Sequence, residues 1–242
     1  MSSGSASGSD IKTFIKSIPL IGSTAARISR LSVIARARRL TFPGSAAFWE
    51  TVYREGGNSG PGSYGRLAEF KAETLNDFVR TRNIRSVIEF GCGDGAQLRL
   101  ARYPEYVGVD VASSSVRRCS ALFAEDATKR FFVADALPKN AGPFDLALSL
   151  DVIYHLIEDS VFDLYMRRLF GVAGSNVIIY SSNLDAPSEG HHVQHRKFTD
   201  WIAENAHDWQ QQGFLRNRYP FDPQQPDETS MADFYFFGRR SA

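Results

Sequence analysis

Short apolar runs alternate with amphipathic stretches through the middle of the chain. The runs at 86–90 (SVIEF), 106–110 (YVGVD), 131–135 (FFVAD), 144–150 (FDLALSL) and 175–180 (SNVIIY) have the length and the β-branched and aromatic content of buried strands. Helical periodicity fills the intervals near 95–102, 114–126 and 158–171. Upstream, Leu67, Phe70, Leu75, Phe78 and Val79 mark another amphipathic helix. This alternation predicts a mostly parallel, doubly wound α/β sheet. The segment 199–209 reads as a helix with Thr199 as its N-cap. Two strand-like segments, 214–219 and 232–240, follow with no helix between them, which predicts a C-terminal antiparallel hairpin.

The amino-terminal part has a different character. Residues 1–10 are small, polar and aperiodic, and are expected to be disordered. Residues 11–47 read as a basic amphipathic helical extension and 48–242 as the main domain. Residues 11–40 carry a charge of +7 with no acid, which leaves −5 for residues 41–242 beside Asp10. Cationic amphipathic helices suit docking on the domain or a second subunit, a peripheral membrane contact, or an organellar transit role. The sequence leaves all three open. The acidic body argues against nucleic acid as a partner, because phosphate binding needs concentrated Lys and Arg. No run approaches the 18 apolar residues of a membrane span. With only Cys92 and Cys119, neither a disulfide framework nor a zinc set is suggested, and a reducing, cytoplasmic compartment fits best.

The candidate chemistry begins at SVIEFGCGDGAQL, where three glycines follow a strand. Gly91, Gly93 and Ala96 fit the dinucleotide fingerprint, and Asp110 lies 19 residues past Gly91. Charge separates the readings. Glu89 and Asp94 flank the turn, so a pyrophosphate would meet carboxylates there. S-adenosylmethionine brings an ammonium and a sulfonium against one carboxylate, and acids favour it. Asp110 closes YVGVD, placed to accept bonds from two ribose hydroxyls. Asp135 closes FFVAD, placed for an adenine amine between Phe131, Phe132, Ala136 and Leu137.

IEFGCGDG, VGVD, VADAL and FDLALSLDVIYHL, in that order, resemble the class I S-adenosylmethionine-dependent methyltransferases over roughly residues 48–238. The resemblance implies a Rossmann-like seven-stranded sheet ending in an antiparallel hairpin. It also implies a transferase whose cofactor lies among Glu89, Gly91, Cys92, Gly93, Asp110, Val111, Asp135, Ala136 and Leu150. Such enzymes generally cover the cofactor with amino-terminal segments. Tyr53, Arg54 and Tyr64 are therefore candidates for closing the site, Arg54 by pairing with the methionine carboxylate, and the glycines between 56 and 65 suit a mobile lid.

Methyl transfer to a hydroxyl requires alignment and a proton acceptor. Asp151, Tyr154 and His155 follow the fourth strand, and Asp151 and His155 share a face if a helix begins there. The polar loop after the fifth strand carries His191, His192 and His195, of which His195 is the first choice as base and His192 the second. No metal-binding pair is visible, and the site is read without one. The expected acceptor is a small molecule or saccharide, methylated at oxygen. A non-catalytic binding module on the same fold and a NAD-binding oxidoreductase are the alternatives.

Overall fold

The computed structural model describes residues 42–186 and 192–240, so the tail at 1–10, the basic segment 11–40 and His191 lie outside the described residues. Side chains of successive strand residues point to opposite faces, and here both faces are apolar. Ile88, Val107 and Ala147 face one buried cluster, while their neighbours Val87, Tyr106, Leu146 and Leu148 face another. Helices must therefore cover the sheet on both sides.

The described helices are α1 (Ser45–Arg54), α2 (Gly65–Thr81), α3 (Ser113–Leu122), α4 (Asp159–Val172) and α5 (Phe198–Asn205). The strands are β1 (Ser86–Phe90), β2 (Glu105–Asp110), β3 (Lys129–Val133), β4 (Phe144–Leu150), β5 (Ala173–Ser181), β6 (Trp209–Leu215) and β7 (Asp233–Arg239). Phe162, Met166 and Leu169 of α4 and Phe198 and Ile202 of α5 cover one face, and Phe70, Leu75 and Val79 of α2 the other. Each such large side chain contributes about 1.5–3 kcal/mol on burial.

The seven strands are ordered β3-β2-β1-β4-β5-β7-β6. Strands β1 to β5 pair in parallel, and β7 runs antiparallel between β5 and β6. The strand order reverses between β1 and β4, and a crevice opens at their carboxyl ends. Among the described residues no helix is long and apolar enough to cross a membrane.

β1 and β4 fall where the apolar pattern puts them, and the terminal hairpin is present. Other elements differ. The helix expected near 95–102 is a single 3-10 turn, Gln97–Leu100, because Gly93 and Gly95 take positive φ and only four residues separate that turn from β2. The third strand begins and ends two residues early, so Asp135 sits in a 3-10 turn, Ala134–Ala136, rather than at a strand end. α3 stops at Leu122, where Asp126 turns the chain by accepting from the Thr128 amide. α5 ends at Asn205, and Trp209 already belongs to β6. Thr199 does not cap α5; its hydroxyl and amide bond Asn183. α1 runs across the boundary placed at 47/48.

Candidate functional site

A cavity of ≈ 460 Å³ lies at the carboxyl ends of β1, β2 and β4. Its floor is the glycine loop. The amides of Gly91 and Cys92 both donate to the Val109 carbonyl, at 2.7 and 3.1 Å, which fastens the loop to β2. Gly91 (φ +84°) and Gly93 (φ +58°) take the left-handed conformation that favours glycine. A Cβ at Gly91 would lie 2.3 Å from Val152, and one at Gly93 would lie 2.3 Å from the Ser59 hydroxyl. A side chain at either position is therefore strained and must displace its neighbour.

Three acids hold this floor. Asp110 is buried; its Oδ2 accepts from the Gly93 amide at 2.9 Å and its Oδ1 from the Ala112 amide at 2.9 Å. Burial pushes its pKa up, against the pull of those amides. The Ser115 hydroxyl and the Val111 amide also pull it down. Glu89 is also buried and accepts from the Tyr106 hydroxyl at 2.7 Å; burial pushes its pKa up to about 7. Asp94 behaves differently. Burial opposes its charge, but bonds from the Tyr64 hydroxyl and the Ala96 and Ser59 amides outweigh that and hold its pKa low. The Asp94 amide in turn donates to the Ser59 hydroxyl at 2.9 Å. One residue thus latches segment 56–65 onto the glycine loop, and Tyr53 joins through its own 3.1 Å bond to Ser59.

Of the residues expected around the cofactor, Glu89, Gly91, Cys92, Gly93, Asp110, Val111, Asp135, Leu150 and Tyr53 line the cavity. Asp135 stands exposed at its rim beside Arg168, 3.9 Å away. Three do not line it. Ala136 is exposed beyond the rim, Tyr64 spends its hydroxyl on Asp94, and Arg54 turns outward to Thr51 and Glu55.

The segment after β4 differs most from expectation. Asp151 has φ +59°, so no helix starts there and it shares no face with His155. Its Oδ2 accepts from Lys71 at 2.6 Å and its Oδ1 from the Tyr154 hydroxyl at 2.8 Å. Lys71, from α2, is fully buried beside the Tyr180 ring, 5.3 Å from its centroid. Nothing in the local sequence marked Lys71, whose partner lies 80 residues away.

Of the histidines, His155 lines the cavity, whereas His192 and His195 do not, nor does Tyr154. Burial pushes the His155 pKa down to about 4, so the ring is neutral. Its Nδ1 lies 2.9 Å from the His192 carbonyl, which can only accept. The proton therefore sits on Nδ1, and Nε2 is the basic nitrogen. His192 stacks between Phe48 of α1 and His155, at 5.0 and 5.6 Å. His195 binds Ser182 through Nδ1 at 2.8 Å, and burial lowers its pKa. The loop is pinned by Arg196, which donates to Asp159 and to the carbonyls of Leu156 and Ile157. Among the described residues no group of three or more His, Cys, Asp and Glu side chains converges as a metal site.

A family model described as a methyltransferase domain matches residues 63–225. No curated protein matches the chain. Among solved structures, the N-methyltransferase NodS from Bradyrhizobium japonicum WM9, in complex with S-adenosyl-L-homocysteine, is 16% identical over 72% of this chain and 88% of its own, with a TM-score of 0.58. The methyltransferase domain of bacterial CtHen1-C is 19% identical over 71% of this chain and 97% of its own, at 0.56. The S-adenosylmethionine-bound amino pentose methyltransferase CalS10 from Micromonospora echinaspora is 10% identical over 74% and 94%, at 0.54. These similarities are similarities of fold.

Proposed function

The chain belongs to the methyltransferase-domain family, and from that premise we propose that its cavity binds S-adenosylmethionine and directs methyl transfer to a hydroxyl of a small molecule or saccharide. The observation that carries this reading is the charge of the lining. Among the described residues that line it, Glu89, Asp94, Asp110, Asp135, Asp151 and Glu158 face two cations, Lys71 and Arg168. A diphosphate would be repelled there, and a cationic nucleoside attracted. The same excess of acid disfavours a nucleic-acid backbone as acceptor.

The donor set fits that cofactor. Asp110, an acceptor-only carboxylate when ionised, lines the cavity where ribose hydroxyls would donate, and Asp135, beside Ala134 at the rim, suits an exocyclic adenine amine. When bound, the cofactor supplies a methyl group already activated on a sulfonium. The protein must orient the acceptor and take its proton. His155 is the side chain for the proton, since its Nδ1 bond leaves Nε2 as a permanent acceptor at the cavity wall. Asp151, engaged by Lys71 and Tyr154, positions rather than deprotonates. His195 and His192 shape the loop behind His155. The shared fold of an amino pentose methyltransferase supports a saccharide acceptor.

Isothermal titration with S-adenosylhomocysteine and with NAD tests the cofactor, and release of S-adenosylhomocysteine during incubation with a saccharide panel tests the acceptor. Binding of NAD without the homocysteine nucleoside would overturn the reading.

A further inference from the structure

His155 offers one open nitrogen to the cavity, and a neighbouring ring offers the complementary group. Trp49 of α1 also lines the cavity. Its ring meets the His155 ring edge-on, with centroids 4.9 Å apart and planes at 76°. Among the described residues no hydrogen bond engages Trp49 Nε1 or His155 Nε2, and both atoms are open to solvent. Trp201 differs, since its indole N–H donates to Asp163 at 3.0 Å. An indole N–H can only donate, and His155 Nε2 can only accept. The pair sets one donor beside one acceptor at the cavity wall.

Their relative placement is fixed by the backbone. Ser45 and Trp49 lie four residues apart on α1 and so share a face. Ser45 is buried and grips the turn that carries His155. Its amide donates to Glu158 Oε1 at 2.9 Å, and its hydroxyl oxygen accepts from the Ile157 amide at 3.1 Å. The same hydroxyl lies 2.6 Å from Glu158 Oε2 and 2.9 Å from the His155 carbonyl. One turn of α1 thus holds the His155 backbone while the next meets its ring.

A hydroxyl satisfies both rings at once and still reacts, because its oxygen carries one proton and two lone pairs. We propose that Trp49 determines specificity for oxygen over nitrogen: its N–H binds one lone pair of the acceptor oxygen, His155 Nε2 takes the proton, and the other lone pair attacks the methyl carbon. The carbon–sulfur electron pair retreats to sulfur, so a sulfonium and an alcohol yield a neutral thioether, an ether and one proton, which His155 passes to solvent. A neutral amine can give His155 a proton, but its single lone pair is spent on the methyl carbon. Nothing then remains to accept from Trp49, and a site built to hydrogen-bond a hydroxyl rejects what leaves its donor unpaired. This rests on the reading that the cavity binds S-adenosylmethionine and that His155 receives the proton.

Water is the first probe, since it offers the same lone pairs and proton as an alcohol. A crystal structure of the full chain with S-adenosylhomocysteine should show one water within about 3.2 Å of both Trp49 Nε1 and His155 Nε2. Absence of a shared water, or nitrogens too far apart to share one, overturns the proposal. Glucosamine is the second probe, because it carries hydroxyls and an amine in one molecule; at a pH where the amine is largely neutral, mass spectrometry reads the ratio of O-methyl to N-methyl product. Wild-type protein should methylate oxygen. Trp49→Phe keeps a ring against His155 and removes the N–H, and should shift that ratio about tenfold toward nitrogen, near the lower bound for a hydrogen bond to a charged group. The variant's Kd for S-adenosylhomocysteine should stay within about twofold. An unchanged ratio, or N-methyl product from wild-type protein, overturns the proposal while the cofactor reading stands. The crystallographic arm decides where glucosamine is not turned over. Failure of wild-type protein to bind S-adenosylhomocysteine overturns the cofactor reading and the proposal with it.

Discussion

Replacing Glu89 with glutamine should abolish a pH dependence of cofactor binding that the wild-type cavity creates. Burial pushes the Glu89 carboxyl up to about 7 from its ordinary 4.5; the Tyr106 hydroxyl and Lys71 pull it down, and Asp110 adds to the rise. A cationic ligand favours the ionised form, so binding draws the pKa back down and expels a proton. The ionised fraction in the free protein is then about one tenth at pH 6 and about nine tenths at pH 8. Kd should fall roughly ninefold across that interval, and about half a proton should leave per ligand at pH 7. Calorimetry of S-adenosylmethionine binding, without an acceptor, in buffers of different ionisation enthalpy measures both. Glu89→Gln should flatten the profile. The same group acts on folding with a defined sign. Its folded pKa is raised, so its contribution is present at low pH and is lost as pH rises through about 7, by up to about 3 kcal/mol. A wild-type Kd that does not change between pH 6 and 8, or an unchanged slope in the variant, would refute the reasoning.

Two further substitutions probe the frame of the site. Gly93→Ala places a Cβ 2.3 Å from the Ser59 hydroxyl at φ +58°, and should cost about 1–3 kcal/mol; limited proteolysis should show faster cleavage within 56–65, and an unchanged rate would sink the latch. Lys71→Met leaves the Asp151 carboxylate without its ion pair and should destabilise the fold by about 3–5 kcal/mol. That corresponds to a drop in Tm of roughly 10 °C, read by differential scanning calorimetry.

The parts of the fold that were legible in the sequence are those whose burial is symmetrical. β1 and β4 are apolar in both directions, so their runs have sharp ends. β3 starts earlier than its apolar run because Lys129 and Arg130 pair with Tyr106 and Val107 at its exposed beginning. β6 hides in three glutamines because it is the edge of the sheet, with solvent on one side. The glycine loop and its acids were legible because backbone conformation and charge are local. The order of the histidines was not. Which imidazole reaches the cavity depends on Arg196 tying the loop to the carbonyls after β4, a contact spanning some 40 residues. Lys71 escaped for the same reason, since it looks like an ordinary helical polar residue until distant chain segments enclose it.

The Asp94 carboxylate receives the Ser59 amide and the Tyr64 hydroxyl while the next backbone amide but one holds it in place. In the proposed reaction those two outer contacts are the ones expected to part for product release; if their parting limits turnover, single-turnover methylation outruns the steady state.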